Sequence, residues 1–342
     1  MTQKPVRIQD VARAAQVSTA TVSRALSDPA KLSEETRKAV FEAIRTTGYR
    51  VNQAARNLRM QRAGAVLILV PNLSNPFFSQ ILAGISGVFM ETDYSVLIAD
   101  TKARAAGDKR LVDYSLARVD GIISLDGSLT PSTMAEFDSH GASERMIFAC
   151  EWVHDTPLPS VRSDNVKGAR LAVRHLHDLG HRKIAHVTGP QDNVLTHARR
   201  QGMLQERVRL NLPARGEWII RGDFSLESGR DAARRILAMQ HRPTAVFCAS
   251  DQVAFGLIST LSAAGVHVPR DLSVVGFDDI ELSEYYVPAL TTIRQFRQTL
   301  GARAARLLLE RLNGSGPVEM DSREVLVDVD LIVRDSTAPP PD

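Results

Sequence analysis

Residues 8–26 read IQDVARAAQVSTATVSRAL, and the spacing of their apolar positions decides the N-terminal architecture. Ile8, Val11, Ala12 and Ala15 recur at helical intervals, so Ile8–Ala15 forms a short amphipathic helix. Gln16-Val17-Ser18 interrupts it, and the Ser18 hydroxyl suits the start of a second helix because it accepts a backbone N–H. That helix, Thr19–Leu26, turns Val22, Ala25 and Leu26 inward and leaves Thr19, Ala20, Ser23 and Arg24 outward. Asp28-Pro29 ends it. A third helix begins after Ser33, carries Glu34 and Glu35 in its positive first turn, runs through Val40, Phe41 and Ile44, and stops at Gly48. Two helices joined by a tight turn, the second presenting small polar groups and one arginine, make a helix-turn-helix. Low side chains let such a helix enter a major groove about 12 Å wide, where Arg24 can donate to a guanine edge or a phosphate.

Charge is distributed unevenly about this segment. Residues 1–62 hold twelve Lys/Arg and five Asp/Glu, whereas the remaining chain holds thirty basic and thirty-four acidic side chains. A basic head on a mildly acidic body points to a polyanionic partner. Solvated helix faces would account for the charge alone, and a dimerisation bundle for the helices alone. Their coincidence in one segment favours DNA. The whole chain of 342 residues is 44% hydrophobic and 24% charged, the profile of a globular protein of two or three domains. The longest apolar strand pattern, Ala65–Val70, falls far short of the roughly 18 residues of a membrane span. The N-terminus has no apolar signal core, and Cys150 and Cys248 sit in short apolar runs as buried thiols. The expected location is the cytoplasm, with no membrane partner.

The ordered matches Ile8–Ala12, Val17–Leu26, Ser33–Arg37 and Gly48-Tyr49, followed by Asn52-Gln53-Ala54-Ala55-Arg56-Asn57-Leu58, resemble the headpiece and hinge of the lactose/galactose-repressor (LacI/GalR) family. The resemblance extends from residue 6 to about 335. It implies a double-stranded DNA operator as partner, pseudo-palindromic to match a homodimer. It implies that Thr19, Ala20 and Arg24 face bases and that Leu58 is an apolar wedge for the minor groove. Thr21, Ser23, Asn52 and Ala55 complete the expected DNA-facing set. Physics bears on the hinge independently: a helix of about ten residues is marginal alone and needs a partner to form. Two Leu58 side chains could then open a base step, although Leu58 as linker filler packed on the body fits the same pattern.

Beyond residue 62 short β-branched runs alternate with helical patterns. Strands are expected at Ala65–Val70, Ser95–Ala99, Gly121–Ser124 and Met146–Cys150, then at Lys183–Thr188, Trp218–Arg221, Ala245–Ala249 and Ser273–Phe277. Helices are expected at Phe77–Thr92, Gly107–Ala117 and Ser132–Asp138, then at Asn165–Leu179, Asn193–Arg209, Leu226–Met239 and Asp251–Ala264. Two such series predict two α/β lobes with parallel sheets. A helix at Phe296–Leu312 and a strand near Glu324–Val333 cross back between them, as in the periplasmic-binding-protein-like fold that the family shares. The expected organisation is a headpiece over 1–50, a hinge over 51–62, an effector-binding and dimerisation body over 63–335, and a disordered tail over 336–342.

Ligands of parallel sheets bind at the carboxyl ends of the strands, which places a site between the lobes. The side chains at those ends are Asn75, Phe77, Phe78, Asp126, Glu151 and Trp152 in the first lobe. In the second they are Asn193, His197, Arg199, Phe224, Asp251 and Asp278, with Asp279 beside it. Flat rings with carboxylates and a guanidinium suit a sugar or nucleoside, because rings stack and charged groups bind hydroxyls in pairs. Each aromatic taken singly fits core packing as well. The resemblance places Arg199 and Asp278 at the ligand through His197-Ala198-Arg199-Arg200-Gln201-Gly202 and Gly276-Phe277-Asp278-Asp279. Within the family the body is most similar to purine-type and cytidine-responsive repressors, yet Asn193 and Leu195 stand where purine-responsive members carry Arg and Thr.

Neither G-x-G-x-x-G, a P-loop, a G-x-S-x-G elbow nor H-E-x-x-H occurs, so no catalysis and no cofactor are expected. His175, His177 and His181 read as solvated helix-end side chains rather than metal ligands. The remaining alternative is a sugar- or nucleoside-binding transport receptor, which shares such a body but has neither a basic head nor a missing secretion signal. Dimerisation is expected through the helix near Phe77–Thr92, without a tetramer-forming leucine heptad at the end.

Overall fold

A computed structural model describes residues 6–49, 62–102, 119–139, 141–314 and 324–341. The chain divides into two compact units, residues 1–62 and 63–342. In the first, α1 (Ile8–Ala14), α2 (Thr19–Ser27) and α3 (Glu34–Thr47) enclose Val11, Ala12, Val22, Ala25, Val40 and Ala43. Ser18 Oγ accepts the Thr21 N–H at 3.0 Å and Ser33 Oγ accepts that of Thr36 at 3.3 Å. Between α1 and α2, Gln16 adopts a left-handed φ of 54°, and the Val17 N–H returns to the Ala12 carbonyl, which makes the turn tight. Phe41 on the same helix as Val40 is 44% exposed, while Val40, Ala43 and Ile44 make up the inner face.

In the second unit the strands are β1 (Ala65–Val70), β2 (Ser95–Asp100), β3 (Gly121–Ser124), β4 (Met146–Ala149), β5 (Ser160–Ser163), β6 (Ile184–Val187), β7 (Ile219–Ile220), β8 (Ala245–Cys248), β9 (Ser273–Asp278), β10 (Thr291–Gln295), β11 (Glu324–Val327) and β12 (Val329–Ile332). They form two six-stranded sheets, ordered β11-β5-β4-β3-β1-β2 and β12-β10-β9-β8-β6-β7. Only the β10–β12 pairing is antiparallel among those described. The helices are α4 (Phe77–Phe89), α5 (Pro131–Ser139), α6 (Asn165–Asp178), α7 (Val194–Arg209), α8 (Leu226–Ala238), α9 (Asp251–Ala263), the one-turn α10 (Leu282–Tyr285) and α11 (Arg297–Leu312). Central strands such as β1 and β9 are buried along their whole length, as parallel strands covered on both faces must be. The chain passes between lobes three times: from β5 to α6, from β10 to α11, and from β11 to β12 through Asp328.

Four expectations need correction or qualification. β5 and β10 were not foreseen, since Ser160-Val161-Arg162-Ser163 and Thr291-Thr292-Ile293-Arg294 are polar, yet Ser160, Ser163, Thr291 and Thr292 are buried. The single last strand is two strands in different sheets. The described part of the tail, 336–341, is ordered: Ser336 is fully buried, its hydroxyl donates to the Val274 carbonyl at 2.6 Å and accepts the Thr291 N–H at 2.8 Å. The histidines are not solvated either. His181 is buried, with its ring within 2.8 Å of the Ala338 carbonyl and 3.1 Å of Ser273 Oγ, while His175 meets Thr337 Oγ1 at 3.0 Å. They hold the tail. The helix expected at Gly107–Ala117 and the hinge residues Asn52, Ala55 and Leu58 lie outside the described residues.

A buried carboxylate fastens α6 to α7. Glu206 is inaccessible to solvent and receives hydrogen bonds from Arg170 (3.2 Å), Arg174 (2.8 Å) and Arg209 (2.6 Å). Burial alone would raise its pKa, but these three donors outweigh it and hold the group at about 2, against an ordinary 4.5. A depressed carboxyl stabilises the fold fully above the ordinary value, and that contribution is lost as pH falls toward 2. The arginines are 41–50% exposed, so screening limits the gain to about 2 kcal/mol. Glu206→Gln should therefore lower unfolding free energy by about 2 kcal/mol at neutral pH. The gap from wild type should close in acid, as denaturant titrations at both pH values will read.

Candidate functional site

In the head unit, Thr19, Ala20 and Arg24 are exposed on α2, opposite the buried Val22 and Ala25. Thr21 and Ser23 are half-buried: the Thr21 hydroxyl lies 2.9 Å from Ser18 Oγ, and the Ser23 carbonyl accepts from the Ser27 hydroxyl. Thr21 therefore sets the start of the helix, and α2 presents Thr19, Ala20 and Arg24 outward, with Ser27 at its end.

In the body the carboxyl ends of the strands converge on Arg199. This side chain, from α7, is 2% exposed. Its Nε donates to Asn165 Oδ1 at 2.9 Å, one terminal nitrogen donates to the Ala249 carbonyl, and the other lies 3.7 Å from Asp278. The guanidinium stacks 3.9 Å over the Phe277 ring and 5.6 Å from that of Phe224. Asp278 ends β9 with a left-handed φ of 124°, and one of its oxygens accepts from Gln295 Nε2 at 2.7 Å. Burial drives the Asp278 carboxyl up to about 7, although Arg199 pulls the other way. Phe224, half-buried and also left-handed with φ 68°, follows β7. From the first lobe, buried Glu151 accepts the Gly127 N–H at 3.1 Å and a hydrogen bond from Asn193, and desolvation raises its pKa. Cys150 beside it is buried, and desolvation pushes its thiol up as well.

The expected site residues thus divide. Arg199, Asp278 and Phe224 lie together, and Asn193 joins the lobes through Glu151 while its Oδ1 accepts from Leu195 N–H (2.8 Å) and Thr196 N–H (3.3 Å). Asp251 is a correction. It is fully buried with Oδ2 occupied by the Ile280 N–H and Ser283 hydroxyl and Oδ1 by the Thr292 hydroxyl, so it fastens α9 to the loop after β9, to α10 and to β10. Asn75 Oδ1 accepts the Phe77 N–H, and Phe77 and Phe78 pack edge-to-face at 5.1 Å within the core. Asp126 is bound to the Thr101 hydroxyl and to Ser128, Trp152 lies under Arg162 at 3.9 Å, and His197 is exposed. Asn165 and Gln295 escaped sequence reading because each adjoins a polar strand, β5 or β10, that the pattern did not reveal. Among the described residues no cluster of His, Cys, Asp and Glu could hold a metal, and no helix is long and apolar enough to cross a membrane.

An outward-facing helix-turn-helix on one unit, and on the other two parallel-sheet lobes around a buried Arg–Asp pair, define a ligand-responsive DNA-binding regulator. Residues 7–52 match the model for bacterial regulatory proteins of the lacI family, and residues 173–337 match a periplasmic binding protein-like domain. The HTH-type transcriptional repressor CytR of Escherichia coli K12 is 37% identical over 334 residues, 96% of either chain. The repressor PurR of Vibrio vulnificus is 33% identical, covering 96% of this chain and 98% of its own. The lac repressor dimer bound to operator and the anti-inducer ONPF superposes with a TM-score of 0.84 at 30% identity, covering 98% of this chain and all of that one. The chain belongs to the LacI family of transcriptional repressors.

Proposed function

We propose that this repressor senses a nucleoside, of the cytidine type rather than a purine nucleoside, in the cleft between its lobes. The observation that carries the reading is Arg199: a buried guanidinium in loose contact with Asp278, beside the aromatic face of Phe224. Guanidinium and carboxylate together bind a vicinal diol, and the ring stacks on a base. Asn193 is spent on Glu151 and on its own helix, which supports an effector other than one read by the Arg and Thr of purine-type members.

The protein acts as a homodimer on a pseudo-palindromic operator in the bacterial cytoplasm, and it carries no catalytic activity. Leu226, Leu282 and Tyr285, 49%, 50% and 71% exposed, line a groove of about 1710 Å³ that also borders Ser79 and Gln80 of α4, which supports a two-fold contact including that helix. Effector binding shifts DNA affinity only through its preference for one lobe arrangement; a preference of about 100-fold is worth roughly 2.7 kcal/mol per site. The test is a thermal-shift screen of nucleosides and pentoses, followed by operator binding with each hit. Stabilisation by no nucleoside, or an operator affinity indifferent to every hit, defeats the reading. For the head, Arg24→Ala should weaken operator binding about tenfold or more while sparing the fold, since this exposed side chain offers up to two bonds to a base or one to a phosphate.

A further inference from the structure

Thr196 is 6% exposed, and its hydroxyl has no hydrogen-bond partner among the described residues. A buried hydroxyl left unpaired destabilises the fold, and a valine of the same shape would avoid that cost. The position is informative. Thr196 lies in the first turn of α7, three residues before Arg199 and hence on the same face of the helix. A Cβ placed on Gly189 would meet the Phe224 ring at 2.1 Å and Thr196 Oγ1 at 2.5 Å, so the ring edge and the hydroxyl lie side by side over that glycine. The other groups of this turn are committed. Asn193 accepts the Leu195 and Thr196 N–H groups, and the Val194 and Leu195 side chains are apolar and buried. The Thr196 hydroxyl is therefore a buried polar group without a partner among the described residues, beside the Phe224 ring and one turn before Arg199.

We propose that Thr196 is a specificity-determining residue of the cleft: its hydroxyl bonds the polar edge of a heterocyclic base stacked on Phe224 and so favours a nucleoside over a free pentose. The proposal rests on the nucleoside reading above. With the ribose diol on Arg199 and Asp278, the base extends one helical turn back, to Thr196. For the hydroxyl to reach the base, the Phe224 ring beside it over Gly189 must shift. A hydroxyl both donates and accepts, so it serves an exocyclic amine, a ring nitrogen or a carbonyl. A pentose without a base leaves it unpaired.

Isothermal titration of the full-length protein with cytidine, uridine, adenosine and ribose tests this, using wild type, Thr196→Val and Thr196→Ser. The expected result is that Thr196→Val loses about tenfold or more in affinity for the preferred nucleoside while ribose binding stays unchanged. The unliganded variant should melt at or above the wild-type temperature, and Thr196→Ser should recover most of the affinity. Nucleoside affinity in Thr196→Val within about twofold of wild type overturns the proposal and leaves the nucleoside reading standing. Parallel losses for nucleoside and ribose overturn it too, because they mark a residue that merely shapes the cleft. Wild-type protein that binds no nucleoside defeats the reading beneath it, and the assignment falls with it.

Discussion

Arg199→Ala will bind the operator with or without effector and show no difference between the two. Three interactions end together in this variant: the Nε bond to Asn165, the bond to the Ala249 carbonyl and the charge contact with Asp278. Among the described residues no other cation stacks on Phe277, so the proposed diol contact is lost with the guanidinium. Operator contact should survive because the head has its own core, built from Val11, Val22, Val40 and their neighbours. Stability should fall by about 1–3 kcal/mol, since Asn165 and the Ala249 carbonyl lose their donor while Asp278 takes up a proton. The loss has a pH signature. Asp278 already titrates at about 7 rather than 3.8 because it is buried, so the folded state holds its proton more tightly than the unfolded chain. Its effect on stability therefore becomes more unfavourable as pH rises between those values, opposite in sign to that of Glu206. Without Arg199 that window extends upward, and the variant should lose melting temperature across neutral pH more steeply than wild type. Anisotropy on labelled operator with saturating effector reads the first effect and melting curves read the second. A variant whose operator affinity answers effector as wild type does would mean the cleft lies elsewhere.

The head was legible because its signal is periodic and local: caps at Ser18 and Ser33, apolar positions at helical spacing and a stop at Gly48 all reappear. That Arg199 and Asp278 lie together was legible through the motifs His197-Ala198-Arg199-Arg200-Gln201-Gly202 and Gly276-Phe277-Asp278-Asp279, the second of which closes a strand. The strand-end rule misplaced Asp251, since a carboxylate after β8 looks alike in sequence whether it faces a cleft or turns inward to Ile280, Ser283 and Thr292. Only tertiary contact distinguishes the two. Ser160–Ser163 and Thr291–Gln295 failed for a related reason: their hydroxyls and charged groups break the apolar pattern, yet both strands are paired within sheets. The tail's Pro339-Pro340-Pro341 suggests disorder by composition, while Ser336 and Ala338, a few residues earlier, make the bonds that hold it.

Gly301→Ala should be among the most damaging single-methyl changes in the body. A Cβ at Gly301 of α11 would stand 2.1 Å from the Ile81 carbonyl of α4, and one at Gly84 of α4 would stand 2.1 Å from the Gln298 carbonyl of α11. The two helices thus rest backbone on backbone at two reciprocal points. The second lobe repeats the arrangement in α8 and α9, where Gly229 would strike the Val253 carbonyl at 2.1 Å and Gly256 that of Leu226 at 1.9 Å. A flexible side chain could yield to an added methyl; a helical carbonyl is tied into its own ladder and moves only if the whole helix moves. Alanine favours helix by about 1 kcal/mol over glycine, so an exposed position would gain from the change. Here overpacking reverses the sign, and a net loss of about 3 kcal/mol is expected from Gly301→Ala. Gly87, with open space around its Cβ position on the same α4, is the control: Gly87→Ala should be neutral or stabilising. The consequence reaches function because α11 begins at Arg297, directly after the β10–α11 crossing, where its guanidinium bonds the carbonyls of Phe77 in one lobe and Asp279 in the other. Driving α11 off α4 displaces the residue whose guanidinium bridges the two lobes. Denaturant midpoints for the three proteins measure the packing effect, and equal midpoints would show that the helices part more easily than their carbonyl contacts imply.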